Sequence, residues 1–276
     1  VAVTTSSTVA TSANGTLWTL FTGTGNTGVT SLNSVATNGT LFVGVGNGGA
    51  ILSSANGTSW STVPSPTSND LRRVVYENSQ FVAVGANTTI LTSSAGSSGW
   101  APATLPVGLA SNTIYAVGYG GGKYVAAGFG TVYTSTTGST WTSANIPDLD
   151  LRSLGYLNGQ WVGGGYPGSM FTSATGETWT LRNSLTRRSF QDGIYGNGRY
   201  VAVGSAATIA VSTDGVAWTI GSFGAGVTGT AADVAFGAGV FVAVGGSGLQ
   251  TSTDGIAWTD RTPAGFDFSA SGVAYG

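Results

Sequence analysis

The pattern of hydrophobic and polar positions repeats along the chain with a period of about forty residues. Each repeat contains short apolar runs, rich in Val, Thr and aromatic residues, which Gly, Asn and Asp separate. In one repeat these runs are Arg73–Tyr76, Phe81–Gly85 and Thr89–Ser93. Such runs are typical of β-strands, and nowhere does an apolar period of 3.6 residues persist for three helical turns. The pattern therefore predicts four short strands per repeat and essentially no helix.

A tryptophan marks the end of each repeat. The clearest copy, Val211–Thr219, reads Val-Ser-Thr-Asp-Gly-Val-Ala-Trp-Thr. Seven of the eight tryptophans occupy this position, 38 to 42 residues apart: Trp18, Trp60, Trp100, Trp141, Trp179, Trp218 and Trp258. A fixed period of this length indicates a repeat architecture. Seven repeats of four strands predict an all-β, seven-bladed β-propeller with four antiparallel strands per blade.

The two ends of the chain predict how the ring closes. Gly272–Gly276 matches the first strand of a blade, and Val1–Val3 matches the second. We expect a last blade closed by N- and C-terminal strands, because this pairing removes the open edge of the ring. A turn and one aromatic residue are missing from this repeat, so we expect the chain to be part of a longer chain or assembly. The prediction is one domain, 1–276, with blades at 32–66, 71–106, 113–147, 151–186, 190–224, 231–264, and 268–276 with 1–23.

The turn before the tryptophan carries a further signal. The Asp-Gly and Asn-Gly pairs of the sequence, in this turn and in the other turns of the repeat, suit two-residue type I′ hairpins, in which both turn residues need positive φ. The Ser-x-Asp-Gly-x-x-Trp copies at 212–218 and 252–258 resemble the Asp-box (BNR-like) repeat of sialidases and many secreted β-propellers. The resemblance implies that the Asp caps the hairpin between the third and fourth strands while the Trp packs between blades. The structural residues that it implies are Asp214, Gly215, Trp218, Asp254, Gly255 and Trp258.

Other repeats depart from this pattern at the Asp position. Asn14 and Asn56 can cap the turn in the same way, whereas Gly96, Thr137 and Thr175 do so less well. The box is also one residue shorter than the family's, since Gly follows Asp directly. The resemblance is specific for fold and says little about function.

Composition and charge exclude several functions. Charged residues make up 7% of the chain, the formal net charge is −2, and there is one lysine, so no basic surface for nucleic acid is expected. No apolar run approaches the roughly eighteen residues of a membrane span. The absence of cysteine and histidine excludes a Cys nucleophile, a Ser-His-Asp triad and a His-ligated zinc, and we predict neither cofactor nor metal. The Ser/Thr-rich, Lys-poor composition favours an extracellular, cell-surface or virion-surface protein.

Polar side chains cluster just before the apolar part of the predicted innermost strands. These strands surround the central channel of a propeller, so the side chains should ring its mouth, on the face with the longer loops. They form either a pocket for a polar or anionic ligand or a solvated rim in which opposite charges neutralise one another. The candidate ligand-binding residues are Arg72, Arg73, Tyr115, Arg152, Arg188, Gln191, Asp192 and Asp233.

Three classes of function remain open. A non-catalytic recognition or attachment domain, which binds a glycan or a surface protein through the loop-rich face, fits best, and no catalytic residue is assigned. One alternative is a glycoside hydrolase that uses two of the carboxylates Asp148, Asp150, Asp192 and Asp233. A sialidase is disfavoured because Glu77 and Glu177 belong to turns on the opposite face. The last alternative is a purely structural scaffold of a phage tail or surface filament.

Overall fold

The computed structural model describes residues 1–5, 8–22, 31–108, 111–183, 185–224, 227–266 and 269–276. This part of the chain is all-β and contains no α-helix. Two single-turn 3₁₀ segments, Asn47–Gly49 and Ser205–Ala207, interrupt the strands. Residues 23 and 268, at the bounds of the predicted last blade, lie outside the described residues. The prediction of an antiparallel β-propeller with almost no helix is confirmed.

Five of the sheets have four antiparallel strands each. The sheet that joins the chain ends has the order β26 (Ala270–Val273), β1 (Ala2–Thr4), β2 (Thr8–Thr11) and β3 (Thr19–Thr22). A second sheet contains β4 (Leu32–Thr37), β5 (Phe42–Gly46), β6 (Ile51–Ser54) and β7 (Ser61–Thr62). A third contains β8 (Leu71–Glu77), β9 (Gln80–Gly85), β10 (Thr89–Ser93) and β11 (Ala101–Pro102). A fourth sheet contains β18 (Phe190–Gly196), β19 (Arg199–Gly204), β20 (Thr208–Ser212) and β21 (Thr219–Ser222). A fifth contains β22 (Ala231–Gly237), β23 (Val240–Gly245), β24 (Gly248–Ser252) and β25 (Thr259–Asp260).

The sixth sheet has six strands. They are β12 (Ile114–Gly120), β13 (Lys123–Ser135), β14 (Thr142–Leu157), β15 (Gln160–Gly165), β16 (Met170–Ser173) and β17 (Thr180–Arg182). Strand β14 pairs with β13 through residues 142–145 and 150, and with β15 through residues 151–157.

The prediction of seven separate blades was therefore wrong: the described residues form six hydrogen-bonded sheets. The predicted blades 113–147 and 151–186 share strand β14, whereas a loop was expected between them. The physical reason lies at the junction, where Leu149 is fully buried and Asp150 pairs with Phe129 of β13. Both contacts hold this segment against its neighbours although its proline and acidic residues resemble a loop and Asp148 has a φ of 66°.

The innermost strands close into a ring. Each contacts the next in the order β26, β4, β8, β12, β14, β18 and β22, and β22 contacts β26 again. Ala2 of β1 pairs with Val273 of β26, and the amino group of Val1 donates to the carbonyl of Ala274 at 2.8 Å. The predicted pairing of the N- and C-terminal strands in one sheet is confirmed.

The core lies between neighbouring sheets. Phe81 and Ala83 of β9 are fully buried and pack with Val43 and Val45 of the preceding sheet. Burial of a side chain such as Phe81 stabilises the fold by about 1.5–3 kcal/mol. The second strand of each repeat alternates buried residues between the two neighbouring clusters, so the apolar Val-Ala-Val runs of the sequence lie in the core.

Every innermost strand carries a β-bulge at the same place. In β8, Leu71 pairs with Gly85 and Arg73 with Val84, so Arg72 between them is the extra residue. The glycine is required, because a Cβ on Gly85 would lie 2.1 Å from the carbonyl oxygen of Asp70. A bulge redirects its extra side chain away from the regular ladder. The bulged residues of the seven strands are Asn33, Arg72, Tyr115, Arg152, Gln191, Ala232 and Ser271.

Candidate functional site at the channel mouth

The seven bulged residues line one cavity of about 180 Å³, together with Arg73. We call this cavity the channel mouth. The repeated bulge explains the convergence, since it places one side chain from each innermost strand at the same end of the ring. Five of the eight candidate residues predicted from the sequence are present: Arg72, Arg73, Tyr115, Arg152 and Gln191.

Three lining residues were missed by the sequence analysis. Asn33, Ala232 and Ser271 occupy the same repeat position as Arg72. Their shared position was the available signal, but their neutral side chains gave no charge pattern. Asn33 donates through Nδ2 to Asn47 and to the carbonyl of Leu71, both at 2.8 Å, and so links two neighbouring innermost strands.

The floor of the channel mouth is an ion group that crosses the ring. Arg73 contacts Asp233 through Nη1 at 2.6 Å and Asp192 through Nη2 at 2.8 Å. The other carboxylate oxygens accept backbone N–H groups, Asp192 from Val234 at 3.0 Å and Asp233 from Val273 at 2.7 Å. All four carboxylate oxygens therefore have donors, which is the condition under which a buried ion group is tolerated.

Two members of this ion group, Arg73 and Asp192, have raised pKa values. Burial opposes the charge of Arg73, but attraction to Asp192 and Asp233 outweighs it and raises the pKa of the guanidinium. Burial raises the pKa of Asp192 well above its usual range, and the carboxylate of Asp233 adds to the effect, while Arg73 offsets part of it. One cation between two buried carboxylates leaves the group short of positive charge, so Asp192 holds a proton more tightly than it would in water.

The walls carry two further arginines. Arg72 Nη2 lies 3.1 Å from Asp70 Oδ2, and both side chains are 37% exposed. Arg152 Nε lies 3.5 Å from Asp150 Oδ1, and its guanidinium carbon is 4.7 Å from the centre of the Tyr115 ring, a cation–π distance. Within the described residues, the Nε atoms of Arg72 and Arg152 have no hydrogen-bond partner.

The channel mouth has geometric features of both alternatives, the neutralised rim and the pocket for an anionic ligand, and ligand binding there stays a prediction. Each arginine has a carboxylate partner, as a neutralised rim requires. However, among the described residues no carboxylate lines the channel mouth, whereas three arginines do. The charged groups of this lining are therefore guanidinium groups, and their carboxylate partners lie outside it.

The remaining predicted residues lie elsewhere. Arg188 is outside the channel mouth, where its Nη1 donates to the carbonyl of Ala206 at 2.8 Å. Asp192 and Asp233 are buried beneath the mouth and are not part of its lining. Asp148 lines a separate cavity beside Phe129. In the described part of the chain, no three acidic side chains come together as metal ligands, and none of its helices is long and apolar enough to cross a membrane.

The box turns lie at the hairpin between the third and fourth strands. Asp214 Oδ1 accepts the N–H groups of Val216 at 2.8 Å and Ala217 at 2.9 Å, and Trp218 Nε1 donates to the carbonyl of Gly215. Asp254 and Trp258 repeat this arrangement. The two backbone hydrogen bonds lower the pKa of Asp214, most through Val216, and the same bonds lower the pKa of Asp254, most through Ala257.

The other box turns follow the same rule. Asn14 and Asn56 each accept two backbone N–H groups, whereas Thr137 and Thr175 each accept one through their hydroxyl oxygens. The assignment of type I′ turns to these Asp-Gly and Asn-Gly pairs was wrong, because only the glycine has positive φ. The side-chain hydrogen bonds hold a wider turn. Two Asn-Gly pairs between the first and second strands do have positive φ at both residues, as predicted, at Asn158 (φ 48°) and Gly159 (φ 84°) and at Asn197 (φ 50°) and Gly198 (φ 77°).

No protein-family model and no curated protein matches the chain. Solved structures do match over most of its length. YCF48 bound to D1 peptide is 17% identical, with 83% of this chain and 80% of that chain covered and a TM-score of 0.64. YCF48 from Cyanidioschyzon merolae is 15% identical, with 82% of this chain and 84% of that chain covered and a TM-score of 0.62. The WD40 β-propeller domain of Doa1 is 10% identical, with 83% of this chain and 82% of that chain covered and a TM-score of 0.66. At these identities the likeness shows the fold alone, a β-propeller.

Proposed function

We propose that this protein is a non-catalytic recognition module that binds a carboxylate-bearing partner in the channel mouth. The observation that carries the proposal is the lining, in which Arg72, Arg73 and Arg152 converge. The side chains of Arg72, Arg73 and Arg152 are 37%, 23% and 30% exposed, so each keeps part of its surface open to a ligand carboxylate. Guanidinium groups suit this ligand because they bind carboxylates through two parallel hydrogen bonds.

The state of the aspartates supports binding rather than hydrolysis. A glycosidase needs one carboxyl group that donates a proton and one that attacks or activates water. Both oxygens of Asp192 and of Asp233 already have donors, and their side chains are 1% and 4% exposed. The bulged residues of the channel mouth also differ between repeats, with only Arg72 and Arg152 alike, which supports one asymmetric site over seven equal sugar sites.

The carrier of the carboxylate is an acidic segment of a protein partner in this proposal. A β-propeller of the same fold, YCF48, has been solved with a D1 peptide bound, which supports a peptide as the carrier. An acidic glycan presents the same chemical group and is the competing carrier. Membership of the Asp-box group and a place on a cell or virion surface belong to the proposal too; the turns at Asp214 and Asp254 support the first.

Binding of defined probes tests the proposal. We would measure the affinity of a glutamate-rich peptide, its glutamine counterpart, an oligogalacturonate and a neutral oligosaccharide by isothermal titration calorimetry. We expect the glutamate peptide to bind and the two uncharged probes not to bind, with an affinity that falls as salt is raised. Binding of the oligogalacturonate alone would assign the site to acidic glycans. Equal binding of charged and uncharged probes would contradict a carboxylate site.

A matched pair of variants locates the binding. Arg152→Ala removes a guanidinium group from the wall, and we expect it to weaken binding of the glutamate peptide at least fivefold. Arg188→Ala removes an arginine outside the channel mouth, so its affinity should stay within twofold of the parent protein. Thermal unfolding of both variants checks that the ring is intact. The same loss of affinity in both would place the interaction elsewhere.

A further inference from the structure

We propose that a cavity of about 540 Å³ at the edge of the ring is a binding site for an arginine side chain of a partner protein. We call it the ring-edge cavity. The lining residues that matter here are Phe129, Thr131, Asn145 and Asp148. Phe129 directly follows Gly128, the glycine opposite the bulge at Tyr115, so the cavity lies at the same end of the ring as the channel mouth. The inference is independent of the proposed carboxylate site.

One wall of the ring-edge cavity comes from the segment that joins the two halves of strand β14. Phe129 of β13 pairs with Asp150, and residues 146–149 stand out from the ladder just before this pair. Leu149 is fully buried in the core, whereas Asp148 is exposed and has a φ of 66°. Aspartate adopts this left-handed conformation more readily than most residues do. The packing that makes β14 continuous therefore presents the carboxylate of Asp148 at the cavity.

Phe129 gives the cavity an exposed aromatic ring, since 61% of this residue is open to solvent. The positions that directly follow the bulge glycine in five other repeats hold Asn47, Ala86, Tyr166, Ser205 and Gly246. Because small and polar residues serve there too, the strand ladder does not require an aromatic ring at this position. A ring that is mostly exposed keeps its negatively polarised face available for a cation.

Asp148 gives the cavity a carboxylate without a partner. Among the described residues it is the one aspartate whose side chain makes neither an ion pair nor a hydrogen bond. Asp70 and Asp150, for comparison, lie 3.1 and 3.5 Å from arginine nitrogens. No lysine or arginine is among the described residues that line the ring-edge cavity. The cavity therefore combines a ring and a carboxylate and supplies no cation of its own.

The channel mouth shows how this protein itself uses such a pair of groups. Arg152 lies with its guanidinium carbon 4.7 Å from the centre of the Tyr115 ring and its Nε 3.5 Å from Asp150 Oδ1. A guanidinium group is suited to both contacts, because it is planar, stacks on aromatic faces and pairs with carboxylates. Phe129 and Asp148 offer the same two groups, a ring and a carboxylate, to an arginine from outside the chain.

The size of the cavity and its remaining polar groups favour arginine over lysine. Ligand pockets commonly measure about 300–1,000 Å³, so the ring-edge cavity has room for a whole arginine side chain. A guanidinium group has five N–H donors, of which a carboxylate takes two. Asn145 and Thr131 also line the cavity, and their side-chain oxygens are acceptors for the others. A lysine ammonium is more strongly hydrated and has no plane to stack on the ring.

A charged probe and its neutral counterpart test the ring-edge cavity. The first is Nα-acetyl-arginine amide, and the second is Nα-acetyl-citrulline amide, in which a urea group replaces the guanidinium group. Each is titrated into isotopically labelled protein while the backbone N–H signal of Phe129 is followed by NMR spectroscopy. We expect the arginine probe to bind with a dissociation constant on the order of 10 mM, and the citrulline probe at least fivefold more weakly. The affinity of the arginine probe should fall as salt is raised.

Two pairs of variants locate the binding. Asp148→Asn and Phe129→Ala should each weaken binding of the arginine probe at least threefold. Glu77→Gln removes the same charge at the other end of strand β8 from the bulge, and Tyr166→Ala removes an exposed ring at the same repeat position outside the cavity. Both controls should stay within twofold of the parent protein. Thermal unfolding of all four variants checks that the ring is intact.

Several results would overturn the proposal. Absence of saturable binding, or equal binding of the arginine and citrulline probes, would show that the cavity does not recognise a guanidinium group. An equal loss in Glu77→Gln and Asp148→Asn would show that the probe responds to the net charge of the protein. Binding of maltotriose that Phe129→Ala abolishes, without binding of the arginine probe, would assign the cavity to a neutral saccharide. Asp148→Asn should leave binding of the glutamate peptide unchanged, so the two proposed sites succeed or fail separately.

Discussion

The box turns and the bulged residues are two parts of the same repeat. Most box residues keep the same type from one repeat to the next, whereas the bulged residues vary. The box residues Ser212, Gly215 and Trp218 have the same residue types in all seven repeats, because each makes hydrogen bonds that hold the turn. The bulged residues share a backbone geometry but range from Arg72 to Ala232. The box therefore maintains the fold, while the bulge frees one position per repeat for a function.

The largest effect is expected at Arg73, which lines the channel mouth and also pairs with two buried carboxylates. Arg73→Met removes the cation that the buried carboxylates of Asp192 and Asp233 share, and we expect a loss of about 3–5 kcal/mol in the free energy of unfolding at neutral pH. Urea unfolding followed by tryptophan fluorescence measures this. The triple variant with Asp192→Asn and Asp233→Asn should recover most of the loss. A triple variant as unstable as Arg73→Met would show that lost packing, not unpaired charge, is the cause.

The same ion group gives a pH dependence with a defined sign. The pKa of Asp192 is raised in the folded state, so the folded protein binds this proton at higher pH than the unfolded chain does. The stability associated with Asp192 is therefore greatest below its unfolded pKa of about 3.9 and is lost as pH rises through the folded value. Asp192→Asn should remove this decline. An unchanged pH profile in Asp192→Asn would contradict the assignment.

A smaller loss is expected from the glycine that permits each bulge. In Gly165→Ala the new Cβ would lie 1.7 Å from the carbonyl oxygen of Asp150, so the backbone must shift, at a cost of about 1–3 kcal/mol. Gly221→Ala is the control, because a Cβ there meets nothing within 4 Å and should change stability by less than about 0.5 kcal/mol. Equal stabilities for the two variants would mean that the bulge tolerates a side chain and does not fix the direction of Arg152.

The contrast between box and bulge also explains what the sequence could predict. The repeat period, the strands, the box caps at Asn14 and Asn56 and the joined chain ends follow from local patterns. The six-stranded sheet does not, because Leu149 becomes buried only through contacts with distant residues. The bulge was signalled only by glycines such as Gly85, which also suit a turn. Asn33 and Ser271 were missed because the bulge that places them level with Tyr115 and Gln191 was not predicted.

The smallest change in stability is expected at the box turn. Two substitutions of Asp214 separate the contribution of its hydrogen bonds from that of its charge. Asp214→Ala deletes the acceptor for two backbone N–H groups and should cost about 1 kcal/mol, as loss of a helix cap does. Asp214→Asn keeps an acceptor, as Asn14 and Asn56 do, and should be close to the parent protein at neutral pH. Urea unfolding at pH 7 measures both variants. Equal losses in the two would show that the turn requires the charge.

Acid then distinguishes the parent protein from Asp214→Asn. Because the folded-state pKa of Asp214 is lowered, its contribution to stability is complete above the unfolded pKa of about 3.9 and is lost as pH falls through the folded value. The amide of the Asp214→Asn variant cannot titrate, so any advantage of the parent protein at pH 7 should disappear towards about pH 2. An advantage that persists there would locate the effect in packing around the box, and the fold-maintaining role would then rest on Trp218 more than on Asp214.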